Sequence, residues 1–245
     1  MTDAEVARSV ALQAAALLRN LCAAGNCIDT DLKRRGDAEA NALILDLLHA
    51  ARPDDFVLSE EAVDDRTRCA ASRVWIVDPL DGTREFGERR EDWAVHIGLA
   101  IDGVPVTGAV ALPAAHRVFA TDDPRPVWPP LPARPRMVVS RTRAHAIVQH
   151  VAETLGAELV PMGSAGAKAM AVVEGKAEIY LHAGGQYEWD NCAPVAVALA
   201  AGLHASRIDG SPLVYNCADP LLPDLLICRP EYAEAVLTAV AATVP

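Results

Sequence analysis

The chain has 245 residues, 51% of them hydrophobic and 22% charged, with a formal net charge of −11. That length and hydrophobicity suffice to bury one large core or two halves, while the acidic balance excludes the basic footprint of a nucleic-acid-binding surface. No apolar run is long enough to span a bilayer, and the acidic opening Met1-Thr2-Asp3-Ala4-Glu5 lacks the basic start of a secretory signal, so a cytoplasmic location is expected.

Thr2 and Glu5 form a capping box, and Val6, Val10, Leu17 and Leu21 share one face. This predicts a helix over 2–20, with Gly25 ending the run. Lys33-Arg34-Arg35-Gly36-Asp37 precedes a second predicted helix over 38–49, for which Asp37 reads as the N-cap. Phe56-Val57-Leu58 is a short apolar strand leading into Ser59-Glu60-Glu61. Paired glutamates are ordinarily a solvated face; directly behind a buried strand they are also candidate site residues. A further strand over 74–77 runs into Asp78-Pro79-Leu80-Asp81-Gly82-Thr83, whose Asp-Pro and Asp-Gly pairs predict a sharp bend. Residues 84–92 read as a charged loop or helix start. Two apolar runs, 94–101 and 104–112, flank Asp102-Gly103 as a hairpin, and 117–121 adds another strand.

The proline-rich stretch 123–135 excludes helix and sheet interior. It divides the chain into an N-terminal α+β part (1–123), a linker (124–135) and a C-terminal part (136–245). After Met137-Val138-Val139, helical patterns at 144–155 and 165–174 alternate with strands at 158–160 and 178–181, which argues an α/β second half. Gly163-Ser164-Ala165-Gly166-Ala167-Lys168 opens the second of these helices with small residues and exposed N–H groups suited to an anion, or simply a cap. Gly184-Gly185-Gln186-Tyr187-Glu188-Trp189-Asp190 precedes an alanine-rich helix over 191–201, for which Asp190 alone would be a routine N-cap. Runs at 211–216 and 224–228 read as closing strands and 231–243 as a terminal amphipathic helix. The six cysteines show no metal-binding spacing and are expected as reduced thiols.

Asp78 and Asp81 gather two carboxylates at a strand end, with Pro79 fixing one φ and Gly82 permitting close backbone approach. Such a pair suits a hard cation, and the N–H groups of Gly82 and Thr83 suit an anion beside it. A turn with capping aspartates is the plainer reading. The haloacid-dehalogenase type of phosphatase also ends its motif in Asp-Gly-Thr, but its nucleophilic Asp lies two residues before the second Asp, where Leu80 stands here. Asp-Pro-Leu-Asp-Gly-Thr after a strand, followed at the right order and spacing by Trp189-Asp190 opening an Ala-rich helix, resembles the lithium-sensitive, magnesium-dependent phosphatase superfamily of inositol monophosphatase and the CysQ-type phosphatases.

The resemblance covers nearly the whole chain and implies a layered αβαβα fold and, commonly, a homodimer. It implies two or three Mg²⁺ ions, replaceable by Mn²⁺, held by Glu60, Asp78, Asp81, Asp190 and the Leu80 carbonyl. Glu60 and Thr83 would orient an attacking water, with Asp37 assisting and Glu61 behind Glu60. Lys-Arg-Arg-Gly-Asp departs from the family's usual residues around Asp37. Asp81, Gly82, Thr83, Ser164, Lys168, Gly185, Gln186 and Tyr187 would border the substrate. Inositol monophosphatases usually carry an acid several positions before Trp-Asp; His182-Ala183-Gly184-Gly185-Gln186 has none and leaves room for a flat base. Tyr187 is a candidate to stack on that base or to pack in the core. The three motifs are most similar to the actinobacterial CysQ branch, which implies removal of the 3'-phosphate of adenosine 3',5'-bisphosphate, linked to sulfate assimilation. Inositol 1-phosphate and fructose 1,6-bisphosphate are the alternative substrates, and a non-catalytic phosphate-binding protein is the remaining alternative.

Overall fold

The computed structural model describes residues 1–24, 29–141 and 145–243. Helix α1 (Asp3–Ala23) carries the expected capping box between Thr2 and Glu5; Gly25, its expected terminator, lies outside the described residues. Helix α2 spans Asp29–Ala51, starting nine residues earlier than the sequence suggested. The reason is Gly36. It is not a breaker but a point of close approach inside the helix, where a Cβ would meet Phe86 Cε1 at 2.8 Å and Leu80 Cδ2 at 2.9 Å. Leu32, Gly36, Ala40, Ile44 and Leu48 form one buried stripe at four-residue spacing. Asp37 is therefore mid-helix and caps nothing.

Strands β1 (Phe56–Ser59), β2 (Arg73–Asp81), β3 (Ala94–Ile101), β4 (Val104–Leu112) and β5 (Arg117–Ala120) form one sheet in that order. β1 pairs with β2 in parallel and the rest are antiparallel. The chain does not bend away after Val77 as expected. β2 continues through Pro79 to Asp81, with a register shift against β3 between Asp78 and Asp81, and the turn comes at Gly82, whose φ is +87°. The short helix α3 (Thr83–Gly87) follows.

Strands β6 (Arg136–Ser140), β7 (Glu158–Met162), β8 (Ile179–Tyr187), β9 (His204–Ser206) and β10 (Leu221–Cys228) build a second, mixed sheet in the order β7-β6-β8-β10-β9. Residues 211–216 are not a strand: Pro212 has no N–H for a ladder, and Tyr215 N instead donates to Gly103 O at 3.0 Å. Helices α4 (Ala146–Leu155), α5 (Ala165–Val173), α6 (Glu188–Ala201) and α7 (Pro230–Ala241) complete the chain.

Three apolar cores stack these elements into five layers. One packs α1 and α2 on the first sheet. One packs α5 and α6 between the two sheets. One packs α4 and α7 on the outside of the second sheet. This is the αβαβα arrangement. The proline-rich segment forms no helix or strand, yet Trp128 fastens it to the second sheet's helices through Nε1 to Val173 O at 2.9 Å. The described cysteines are free thiols. Among the described residues, no helix is long and apolar enough to cross a membrane.

Candidate active site

The site forms where the carboxyl ends of strands from both sheets face each other, the usual position for a ligand in open α/β folds. Asp78 and Asp81 are both buried at the end of β2. The Asp78 carboxylate accepts from Leu80 N at 2.9 Å. Asp81 accepts from Ala165 N at 3.2 Å and Gly166 N at 2.7 Å, the first amides of α5. Those amides have no partner within the helix, so one carboxylate both caps α5 and ties the two sheets together. β8 runs further than expected and α6 starts at Glu188, so Asp190 is the third residue of the helix rather than its N-cap. Its carboxylate reaches back to Tyr187 N at 2.6 Å. Asp78, Asp81 and Asp190 each place one carboxylate oxygen within 4.8 Å of the other two.

Glu60 follows β1, and its amide reaches Val77 O at 3.4 Å, which seats it beside the end of β2. Desolvation, then repulsion from Asp190 and Glu61, raises its carboxyl to about 7. Desolvation and repulsion from Glu60, Asp81 and Asp190 push Asp78 well above the carboxylate range. Desolvation and Asp81 raise Asp190 to about 6. Asp81 goes the other way: burial pushes it up, but the His96 charge and hydrogen bond, the Gly166 amide and Lys168 outweigh burial and hold it low. Glu61 is exposed and adds repulsion onto Glu60 and Asp37. Desolvation and Glu61 raise Asp37 to about 6, against a bond from Thr83. The Thr83 hydroxyl lies 3.3 Å from Asp37 Oδ1 and 3.1 Å from Leu80 O. The predicted acids therefore meet, with Asp37, Thr83 and the Leu80 carbonyl at their edge.

The donor set fits a hard divalent cation. It offers only oxygen ligands, and Glu60, Asp78 and Asp190 are pushed up by burial and by their acidic neighbours, a repulsion that a cation relieves.

Beside the acids lies a cleft of about 430 Å³. Asp81, Gly82 and Asp190 line it, with Ser164 and Lys168 from α5 and Gly185, Gln186 and Tyr187 from the end of β8. Ser164 is the N-cap of α5, accepting from Ala167 N at 2.9 Å. Lys168 is buried, and its ammonium donates to the Gly163 and Ser164 carbonyls, so it braces the loop rather than offering a free charge. The Gln186 amide is engaged by Tyr180 Oη at 2.9 Å and Asn191 Nδ2 at 3.3 Å. Tyr187 is exposed and stacked on Trp189, with ring centroids 4.7 Å apart and planes 10° from parallel, so core packing is not its role.

Sequence reasoning missed three side chains here. His96 is fully buried in β3, with Nε2 3.1 Å from Asp81 Oδ2 and Nδ1 3.0 Å from Trp189 O. Burial pulls its pKa down, but Asp81 overcomes this and leaves it raised. The available signal was a lone imidazole inside the apolar run Ala94–Ile101. Glu85 and Arg141 also line the cleft and pair with each other. They lie 56 residues apart in sequence, and no spacing rule links them.

Residues 3–127 and 133–243 match the profile of the inositol monophosphatase family. The chain is 53% identical to the 3'-phosphoadenosine 5'-phosphate phosphatase of Mycobacterium tuberculosis, over 86% of this chain and 82% of that protein. It is 49% identical to the protein of the same name in Mycobacterium leprae, over 97% of this chain and 93% of the other. Among solved structures, CysQ from Bacteroides thetaiotaomicron superposes with a TM-score of 0.79 at 26% identity, over 93% of this chain and 97% of that one. A profile spanning both sheets, together with relatives that align along most of their own length, establishes that the chain belongs to the inositol monophosphatase family.

Proposed function

We propose that this chain is a divalent-metal-dependent phosphatase that removes the 3'-phosphate of adenosine 3',5'-bisphosphate, with Mg²⁺ as the metal. The reading is carried by the convergence of Asp78, Asp81 and Asp190 beside a cleft wide enough for a small phosphorylated ligand. The choice of nucleotide rests on the names of the mycobacterial relatives. The open, acid-free segment from His182 to Gln186 agrees with it.

Asp78, Asp81 and Asp190 would hold the cation, with Glu60 and the Leu80 carbonyl as further oxygen donors. A bound Mg²⁺ supplies positive charge to phosphate oxygens and lowers the pKa of a water. The chain's own part is positional. The Thr83 hydroxyl has two acceptors within reach, Asp37 and Leu80 O, so its proton is committed and a lone pair is free to accept from a water. Glu60, beside Asp78, is the second group proposed to orient that water. Asp81, fixed by two amides of α5, cannot swing away from the site. No side chain is required as a nucleophile, and the reaction is direct transfer of the phosphoryl group to water.

The test is phosphate release with Mg²⁺ from adenosine 3',5'-bisphosphate, inositol 1-phosphate and fructose 1,6-bisphosphate. The nucleotide is expected to give the highest kcat/KM. Faster turnover of either sugar phosphate overturns the substrate assignment, and release from none of the three overturns the activity.

A further inference from the structure

Resting on the proposed function, the cation site poses a problem of spacing. Its acids come from separate elements: Asp81 ends β2 in the first sheet, and Asp190 lies in α6. Their oxygens can share an ion only if the two elements are held at a set distance. Asp81 is tied to α5 by two amides, and Asp190 is tied to Tyr187 N at the start of its own helix. Neither contact joins Asp81 to α6. His96 does.

His96 stands within β3, opposite Asp78 of β2. Val95 and Ile97 pack in the core with α1 and α2, while Ala94 packs in the core between the sheets. Side chains alternate along a strand, so His96 faces the central layer. There the ring is fully buried and meets three elements. Its Nδ1 lies 3.0 Å from Trp189 O, the carbonyl of the residue just before Asp190. A carbonyl oxygen only accepts, so Nδ1 is the donor. Its Nε2 lies 3.1 Å from Asp81 Oδ2. Among the described residues Nε2 makes no aligned hydrogen bond, so its hold on Asp81 is a contact of charge. The third element is α5. A Cβ on Gly166 would stand 2.1 Å from Nε2, so the helix leaves the ring no room on that side.

The rest of β3 is Ala, Val, Ile, Gly and Leu. Filling the space there would need only another apolar side chain, and burying an imidazole instead carries a desolvation cost. The contacts that offset it lead to Asp81 on one side and to the backbone of Asp190 on the other.

We propose that His96 is a positioning residue for the cation site. One ring holds the Asp81 carboxylate and the backbone that delivers Asp190 at a fixed separation, so that both acids reach the same ion. It acts through those two acids and not on the substrate. Side chains that orient metal ligands in this way typically govern metal affinity.

The test measures Mg²⁺ binding to the substrate-free protein by titration calorimetry, in the natural chain and in His96→Phe and His96→Gln. His96→Phe fills the space of the ring without a donor, and its Kd for Mg²⁺ should rise roughly ten- to a hundredfold. His96→Gln has a single donor nitrogen and cannot bridge both oxygens as the ring does, so its Kd should rise as well, by less. Circular dichroism at the same temperature checks the fold, and if His96→Phe does not fold, His96→Gln decides. A lowered Tm with an unchanged Kd for Mg²⁺ in a folded variant overturns the inference and leaves His96 as a structural partner of Asp81. A natural protein that binds no Mg²⁺ overturns the metal assignment of the proposed function instead, a result distinguishable from the first.

Discussion

The two walls of the site come from different sheets and carry opposite chemistry. The first sheet supplies acids: Glu60 behind β1, and Asp78 and Asp81 at the end of β2. The second sheet and its helices supply mostly donors: the α5 amides, Lys168 and Arg141, with Asp190 as their one acidic contribution. Asp78 and Asp81 show what this division does. They are three residues apart on one strand and both buried, yet Asp78 is pushed up by its acidic neighbours while Asp81 is held low. The difference is that Asp81 reaches across to the second wall and to His96. A buried carboxylate stays charged where opposing donors meet it, and otherwise waits for a cation.

The largest effect should follow from removing the cation that the acidic wall needs. Chelation should take phosphate release to background, and Mg²⁺ should restore it. Added Mg²⁺ should also raise Tm, since a ligand at a hundred times its Kd stabilises by about 2.7 kcal/mol; thermal unfolding with and without the ion checks this. A metal-indifferent Tm would mean that the acids do not share an ion.

Next comes Asp81→Asn, which removes a charge from the ligand set and leaves one of the two α5 amides without its acceptor. Its loss of kcat/KM should exceed the roughly 10- to 100-fold typical of groups that merely support a metal ligand. A smaller loss would place Asp81 on the structural side of the comparison only.

Gly166→Ala tests the seam between the walls. A Cβ there would stand 2.1 Å from His96 Nε2, so the imidazole must move from Asp81. Overpacking of this kind costs about 1–3 kcal/mol, to be read from a denaturant midpoint. An unchanged midpoint would show that the walls are not tightly joined at His96.

The smallest effect belongs to the exposed rim. Tyr187→Ala should raise KM for the nucleotide by roughly fivefold, the low end of a base-stacking contact, while Tyr187→Phe should not. Equal behaviour of the two variants would remove stacking from substrate recognition.

The paired strands and the acids were legible because their signals are local. The runs Ala94–Ile101 and Val104–Leu112 with Asp-Gly between them have the same bounds in sequence and structure. Asp78, Asp81 and Asp190 stood out because their residue types and order resemble a known signature. The start of α2 was misplaced because Asp37 reads as an N-cap until Gly36 is seen inside the helix, against the side chains of Leu80 and Phe86. The extension of β2 through Pro79 and of β8 to Tyr187 was hidden for a related reason: turn-forming residues are overridden when a neighbouring strand holds the backbone.

What the sequence alone determined is therefore the inventory: most of the elements and their approximate order, which follow from periodicity and neighbours a few residues apart, and the acids at their ends, which follow from resemblance to a known signature. What only the tertiary structure decided is the state of each group. Asp81 held low against His96 and Arg141 paired with Glu85 both depend on partners brought in from elsewhere in the chain. Electrostatics acts through space over a few ångströms, and sequence distance carries no record of it.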